Sequence, residues 1–169
     1  MLKNYKRKLN NFGFTLVELL VVISILGVLA TIALASFRSS QARGRDAERK
    51  SDLKQIVSSL ELYYSDYGKY PSSLGGKILG CPSTSQTSCT WGLGSFTDGK
   101  TVYFRVLPKD PTASYTYFYR IVDSGTSQKF QIFAYIENTQ DLSRITTGYS
   151  CGTVLCNFAI TSSNTTPNE

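Results

Sequence analysis

The chain of 169 residues has no histidine, and only one methionine and one tryptophan. Without histidine it lacks the side chain whose ordinary pKa lies between pH 5 and 8, which is also the commonest metal ligand. No catalytic residue emerges, so the chain does not read as an enzyme. Charge is sparse at 18% of residues. Four acids, Asp46, Glu48, Asp52 and Glu61, form no close pair with a general-acid partner, and a solvated helix face or intersubunit ion pairs are expected of them.

What the chain has instead is a long apolar run. Lys3, Lys6, Arg7 and Lys8 precede Gly13-Phe14-Thr15-Leu16-Val17-Glu18, and the segment from Phe14 to Phe37 is 24 residues of almost unbroken apolar character. That is long enough to span about 30 Å of hydrocarbon. One carboxylate, Glu18, stands near its start, where a charge costs a few kcal/mol and marks a function with a partner to be found. A cut after Gly13 would create a cationic terminus at Phe14, about one helical turn from Glu18. Between neighbouring copies, the amine of one chain could then neutralise Glu18 of another and fix the packing register.

Gly13-Phe14-Thr15-Leu16-Val17-Glu18, followed by Leu19 to Ala30, closely resembles the leader junction and first helix of type IV pilins and type II secretion pseudopilins. The resemblance implies that a membrane prepilin peptidase cuts between Gly13 and Phe14 and that the new Phe14 terminus is N-methylated. It also implies that Glu18 guides assembly into a helical filament. A membrane platform protein and a cytoplasmic assembly ATPase are implied as indirect partners. Asp46-Ala47-Glu48-Arg49, Gly68-Lys69-Tyr70-Pro71 and Leu107-Pro108-Lys109-Asp110-Pro111 look most like major pseudopilins. The long cysteine-bearing loop and the tail depart from that pattern, and Ala35 stands where many family members carry proline.

Three other readings compete. A cleaved secretory signal has a shorter apolar core, of about 7 to 15 residues, followed by a small-residue cut site. A plain membrane anchor, including that of a membrane-tethered extracytoplasmic binding protein, has no need of Glu18. Within the family, a pseudopilin of a secretion or DNA-uptake system, acting as a short piston filament, competes with a long surface pilus.

The basic leader places the N-terminus in the cytoplasm by the positive-inside rule, with the head outside the inner membrane, in a filament or at the cell surface. Arg38, Arg43 and Arg45 work against that orientation. Removing the leader takes four of the net +6 charges. Bulk charge then gives little support to nucleic-acid binding.

The expected fold class is α+β and pilin-like: a long N-terminal helix, its first half transmembrane, packed by its second half against a small antiparallel β-sheet. Leu53, Ile56, Val57, Leu60, Tyr63, Tyr64 and Tyr67 recur at helical period. Gly68 and Pro71 then set the stop near Tyr67. An unbroken helix from Phe14 would be about 80 Å long. Gly27 and Gly44 are its weak points, although Gly27 could instead allow close helix approach.

Residues 1–13 are thus a cleaved leader, 14–37 the membrane or filament-core helix, 38–161 the head and 162–169 a disordered tail. Strands are expected over Thr101–Leu107, Tyr115–Val122, Phe130–Ile136 and Phe158–Thr161, with a hairpin loop at Asp123–Lys129. Trp91 and Phe96 are expected to pack down as a mini-core.

Cys81 and Cys89, and Cys151 and Cys156, lie in two Ser-, Thr- and Gly-rich segments. Four cysteines allow three connectivities, of which local pairing is the simplest. Zinc is the competitor, but neither pair has C-x2-C spacing and an exported chain favours disulfides. No cofactor is expected. Major pseudopilins often bind calcium in a loop of the head, and Asp110, Asp123 or Asp141 could supply oxygen ligands, although dispersed aspartates make a thin case.

Overall fold

The structure, a computed structural model, describes residues 13–81 and 87–169, so most of the expected leader lies outside the described residues. The chain divides into two compact units, one ending at Ser40 and the other spanning Gln41–Glu169. One helix, α1 (Leu16–Tyr67, 52 residues), contributes to both. No proline precedes Pro71, so every backbone N–H needed for the helical ladder is present. Gly68 adopts φ +66° and donates its N–H to the Tyr64 carbonyl at 2.7 Å, which closes the helix one residue after Tyr67.

In the first unit, the described side chains from Phe14 to Phe37 are exposed, and the helix is long and apolar enough to cross a membrane by length and composition. Ser24 and Thr31 return their hydroxyls to the carbonyls of Val21 and Val28 at 2.7 Å. These polar groups are therefore satisfied within the helix.

The second unit is built on the apolar stripe of α1. Leu53, Ile56 and Leu60 are fully buried, each contributing about 1.5–3 kcal/mol by area. They pack in one core with Phe130, Ile132, Ala134 and Ile136. Seven strands follow: β1 (Ser73–Leu74), β2 (Lys77–Ile78), β3 (Phe96–Thr97), β4 (Val102–Phe104), β5 (Phe118–Ile121), β6 (Phe130–Ala134) and β7 (Phe158–Thr161). They form two small hairpins, β1-β2 and β3-β4, and an antiparallel sheet of order β5-β6-β7. In that sheet Tyr119 pairs with Ile132, and Ile132 with Ile160.

Strand β6 is buried along its whole length. Phe130, Ile132 and Ala134 belong to the core that contains α1, whereas Phe133 packs with Cys151 and Cys156 in a second cluster. The sheet is thus covered on both faces, which explains why Phe130–Ala134 reads as a nearly continuous apolar run.

Several strands are shorter than their patterns. Pairing of β6 ends at Ala134 because Asn157 takes over: its Oδ1 accepts the Ile136 N–H at 2.6 Å and its Nδ2 donates to the Ile136 carbonyl at 3.0 Å. Strand β5 begins only at Phe118 because Tyr115 bridges to Gly152, and the Thr116 N–H goes to the Cys151 carbonyl at 3.3 Å. Trp91 and Phe96 join the main core, and Trp91 meets the Tyr117 ring edge-on at 5.7 Å.

The last eight residues differ from the disordered tail expected of them. Ser162 extends the ladder by donating its N–H to the Phe130 carbonyl at 3.2 Å. The Gln131 amide donates to the Thr166 carbonyl at 2.5 Å, and Lys129 pairs with Glu169 at 2.5 Å.

Gly152 has φ +83°, and a Cβ there would lie 2.3 Å from the Ser114 carbonyl oxygen. Gly152→Ala should destabilise the head by at least about 1–2 kcal/mol from backbone handedness alone, read as a lower urea midpoint of Trp91 fluorescence for the full chain in detergent.

Candidate functional site

The residues singled out at the N-terminus sit at the very start of α1. Gly13, Phe14 and Thr15 precede the helix in an irregular segment, and Phe14 is 85% exposed. The Gly13–Phe14 peptide bond therefore lies outside helical structure. The structure does not bring Glu18 to the Phe14 nitrogen. Its Oε2 instead accepts the Thr15 N–H at 2.9 Å and the Thr15 hydroxyl at 2.7 Å, while the Thr15 oxygen receives the Glu18 N–H at 3.3 Å. This is a capping box, in which a Thr and a Glu three residues later satisfy each other's free helix donors. The T-x-x-E spacing carries that signal, and Thr15 is a residue the sequence reading passed over.

A second constellation lies on the head part of α1. Arg49 has zero exposure, and its five N–H donors meet five acceptors. Nε and Nη2 grip the two oxygens of Asp110 at 2.8 Å each. Nη1 reaches Asp46 at 2.8 Å and Glu137 at 2.9 Å, and Nη2 also donates to the Thr112 hydroxyl at 3.0 Å. Asp46 in turn accepts the N–H groups of Glu137 and Asn138 at 2.9 and 2.8 Å. Arg45 pairs with Glu137, and Lys50 with Asp141 at 2.6 Å.

Burial alone would lower the Arg49 pKa, but its bonds to Asp110, Glu137 and Asp46 outweigh that and raise it. The Arg45 guanidinium holds the Glu137 carboxyl at about 2. The Lys50 ammonium, with help from Ser143, does the same to Asp141.

Here the expectation of a solvated or intersubunit acidic face is corrected. Asp46 is buried in the ion cluster, Asp52 accepts the Tyr117 hydroxyl at 2.6 Å, and Glu61 accepts the Tyr70 hydroxyl at 2.9 Å. Burial pushes the Asp52 carboxyl up in spite of its bond to Tyr117. Of the four, Glu48 alone is an exposed residue with no hydrogen bond or ion pair among the described residues.

Nor do the three aspartates considered for calcium form a cage. Asp110 is taken by Arg49 and Asp141 by Lys50. Asp123 caps its own hairpin, accepting the N–H groups of Gln128 and Lys129. Among the described residues no group of three or more potential ligands converges, so these residues do not fit a resident calcium ion. The four cysteines close as Cys81–Cys89 and Cys151–Cys156.

Residues 8–34 match the family model described as the prokaryotic N-terminal methylation motif. The chain is 32% identical over 123 residues to the type II secretion system core protein G of Dickeya chrysanthemi, covering 73% of this chain and 75% of that protein. The chain belongs to the pilin and pseudopilin family. The corresponding core protein G of Klebsiella pneumoniae is 30% identical over 72% of this chain and 81% of its own length. The type IV major pilin PilA of Myxococcus xanthus is 40% identical over 60 residues, covering 36% of this chain and 27% of that pilin. No solved structure matches the chain significantly. Family membership implies filament self-assembly and processing by prepilin peptidase.

In this pilin-like subunit, Arg49→Met should cost about 3–5 kcal/mol, because it leaves buried carboxylates unpaired; a urea melt of the full chain in detergent reads it. The pH dependence has a definite sign. Glu137 and Asp141 titrate at about 2 in the fold, below their ordinary 4.5 and 3.8. Their contribution is therefore complete above those ordinary values and is lost as pH falls from about 4.5 towards 2. An acid titration of Glu137→Gln should show a shallower loss of stability in that window than the parent chain.

Proposed function

We propose that the chain is the structural subunit of a helical filament assembled from the inner membrane. Prepilin peptidase cuts between Gly13 and Phe14, the Phe14 amine is methylated, and residues 14–37 pass from lipid into the filament core. The observation that carries this reading is the single carboxylate of Glu18 at the start of an exposed apolar helix in a chain of this family. On cleavage, the new Phe14 amine of one copy pairs with Glu18 of a neighbour. Glu18 exchanges its bonds to Thr15 for a charged partner, and the exchange selects register.

The head lies outside the membrane, where the two disulfides form. A platform protein and a cytoplasmic ATPase drive the assembly. The similarity to core protein G runs across 73% of this chain and so reaches into the head. It thereby favours a short secretion-type pseudopilus over a long surface pilus. The matches to type IV major pilins of Myxococcus xanthus and Neisseria gonorrhoeae each cover 36% of this chain.

Glu18→Ala should insert normally into membranes and yield no filaments, as seen by electron microscopy and by the sheared fraction of native cells; normal filaments would overturn the role of Glu18. Intact-mass analysis of the same fractions tests processing. Methyl-Phe14 confined to membranes supports the pseudopilus, the same species in sheared material supports a surface pilus, and an uncut Met1 returns the chain to a plain anchor.

A further inference from the structure

A cavity of about 220 Å³ within the head is lined by Tyr63, Tyr67, Gly80, Phe96, Thr97 and Asp98. Its aromatic wall is continuous: the Tyr63 ring stacks on Tyr67 at 4.6 Å and lies 5.3 Å from Phe96. Its polar wall is one carboxylate. Asp98 Oδ1 accepts the N–H groups of Lys100 at 2.8 Å and Thr101 at 2.5 Å. Oδ2 accepts the Tyr67 hydroxyl at 2.6 Å and faces the Tyr103 hydroxyl at 3.0 Å.

Counting protons exposes an imbalance. The buried Tyr103 hydroxyl lies 2.8 Å from Asp66 Oδ2 as well as 3.0 Å from Asp98 Oδ2, and a phenol carries one proton. One of the two carboxylates therefore meets that oxygen with no hydrogen between them. The bonds from Tyr67, Thr101 and Lys100 hold the Asp98 carboxyl well below the usual carboxylate range, so it stays charged.

The end of α1 adds to the negative field, because its last turn contains no basic residue to offset the carbonyl end of the helix. Among the described residues no lysine or arginine pairs with Asp66 or Asp98. Aromatic faces around a fixed, unneutralised carboxylate suit an alkylammonium group. A carboxylate alone would not select one over a hydrated ion.

The head also carries the complementary group. Lys54 and Lys109 are exposed and form no ion pair among the described residues. Each copy thus offers both an anionic aromatic pocket without a cation and free lysines elsewhere, as a head-to-tail contact between identical subunits requires. We propose that the Tyr63–Tyr67–Asp98 pocket receives a lysine ammonium from a second copy of this chain, as a contact between heads in the assembled filament. This rests on the filament reading above.

The test uses filaments sheared from native cells and treated with a water-soluble carbodiimide. This reagent joins a carboxylate to an amine and itself takes up the water released. Peptide mass spectrometry should find links from Asp98 to Lys54 or Lys109 in filaments, and none in detergent-dispersed monomers of the same processed chain. Asp98→Asn keeps the Oδ1 acceptor for Lys100 and Thr101. Its filaments should form but come apart at a salt concentration about three-fold lower than the parent, as expected on loss of an intersubunit ion pair, when both are compared well below the thermal midpoint of the variant monomer. Parent filaments without Asp98 links to Lys54 or Lys109, or Asp98→Asn filaments with an unchanged salt midpoint, would overturn the pocket while leaving the filament reading intact. Absence of filaments from the parent chain would overturn both.

Discussion

A guanidinium with no exposure to water obliges the rest of the head to come to it. Arg49 can stay charged in the interior only if its donors are met, and the acceptors come from three places: Asp46 one turn earlier, Asp110 in the loop after β4, and Glu137 just beyond β6. Each acceptor is itself held. Asp46 is tied to the backbone of Glu137 and Asn138, and Asp110 to the Thr112 N–H. The helix, the proline-bracketed loop and the exit of the central strand are therefore locked by one group. Apolar burial supplies the larger share of the free energy, but it tolerates sliding. A five-donor fork does not.

This cluster also changes how the charges after the apolar run are to be counted. Arg38, Arg43 and Arg45 read in sequence as a positive flank that opposes an outward-facing head. In the folded head Arg45 is neutralised by Glu137, and the following Arg49 and Lys50 by Asp46, Asp110, Glu137 and Asp141. Arg38 and Arg43 are left without an ion pair among the described residues. Charge patterning near a membrane is thus a property of the unfolded segment as it meets the bilayer, and the mature surface can differ from it by several units.

The helix was legible because its signals are local: the apolar run, the period from Leu53 to Tyr67, and Gly68 with Pro71 behind it. Strand β7 was legible for the same reason. The strand ends were not, because β5 and β6 stop where Gly152 and the Asn157 side chain displace the neighbouring strand, and those partners come from elsewhere in the chain. Asp46 and Asp52 were misread because their partners, Glu137 and Tyr117, are 91 and 65 residues away. Thr15 was the opposite case. Its spacing to Glu18 was in plain view, but attention to Glu18 as an intersubunit group hid its local use.

The two disulfides span only eight and five residues of sequence. At ~3.4 Å per extended residue they withhold roughly 45 Å of contour from a head whose full extension is roughly 440 Å. They close two short stretches of sequence and leave the long path of the chain free of covalent shortcuts. A subunit loaded in tension would find no covalent stop until about nine-tenths of its contour had been paid out. Resistance to pulling must come from the non-covalent lock around Arg49 and the packing of β6, which can re-form once the load is released.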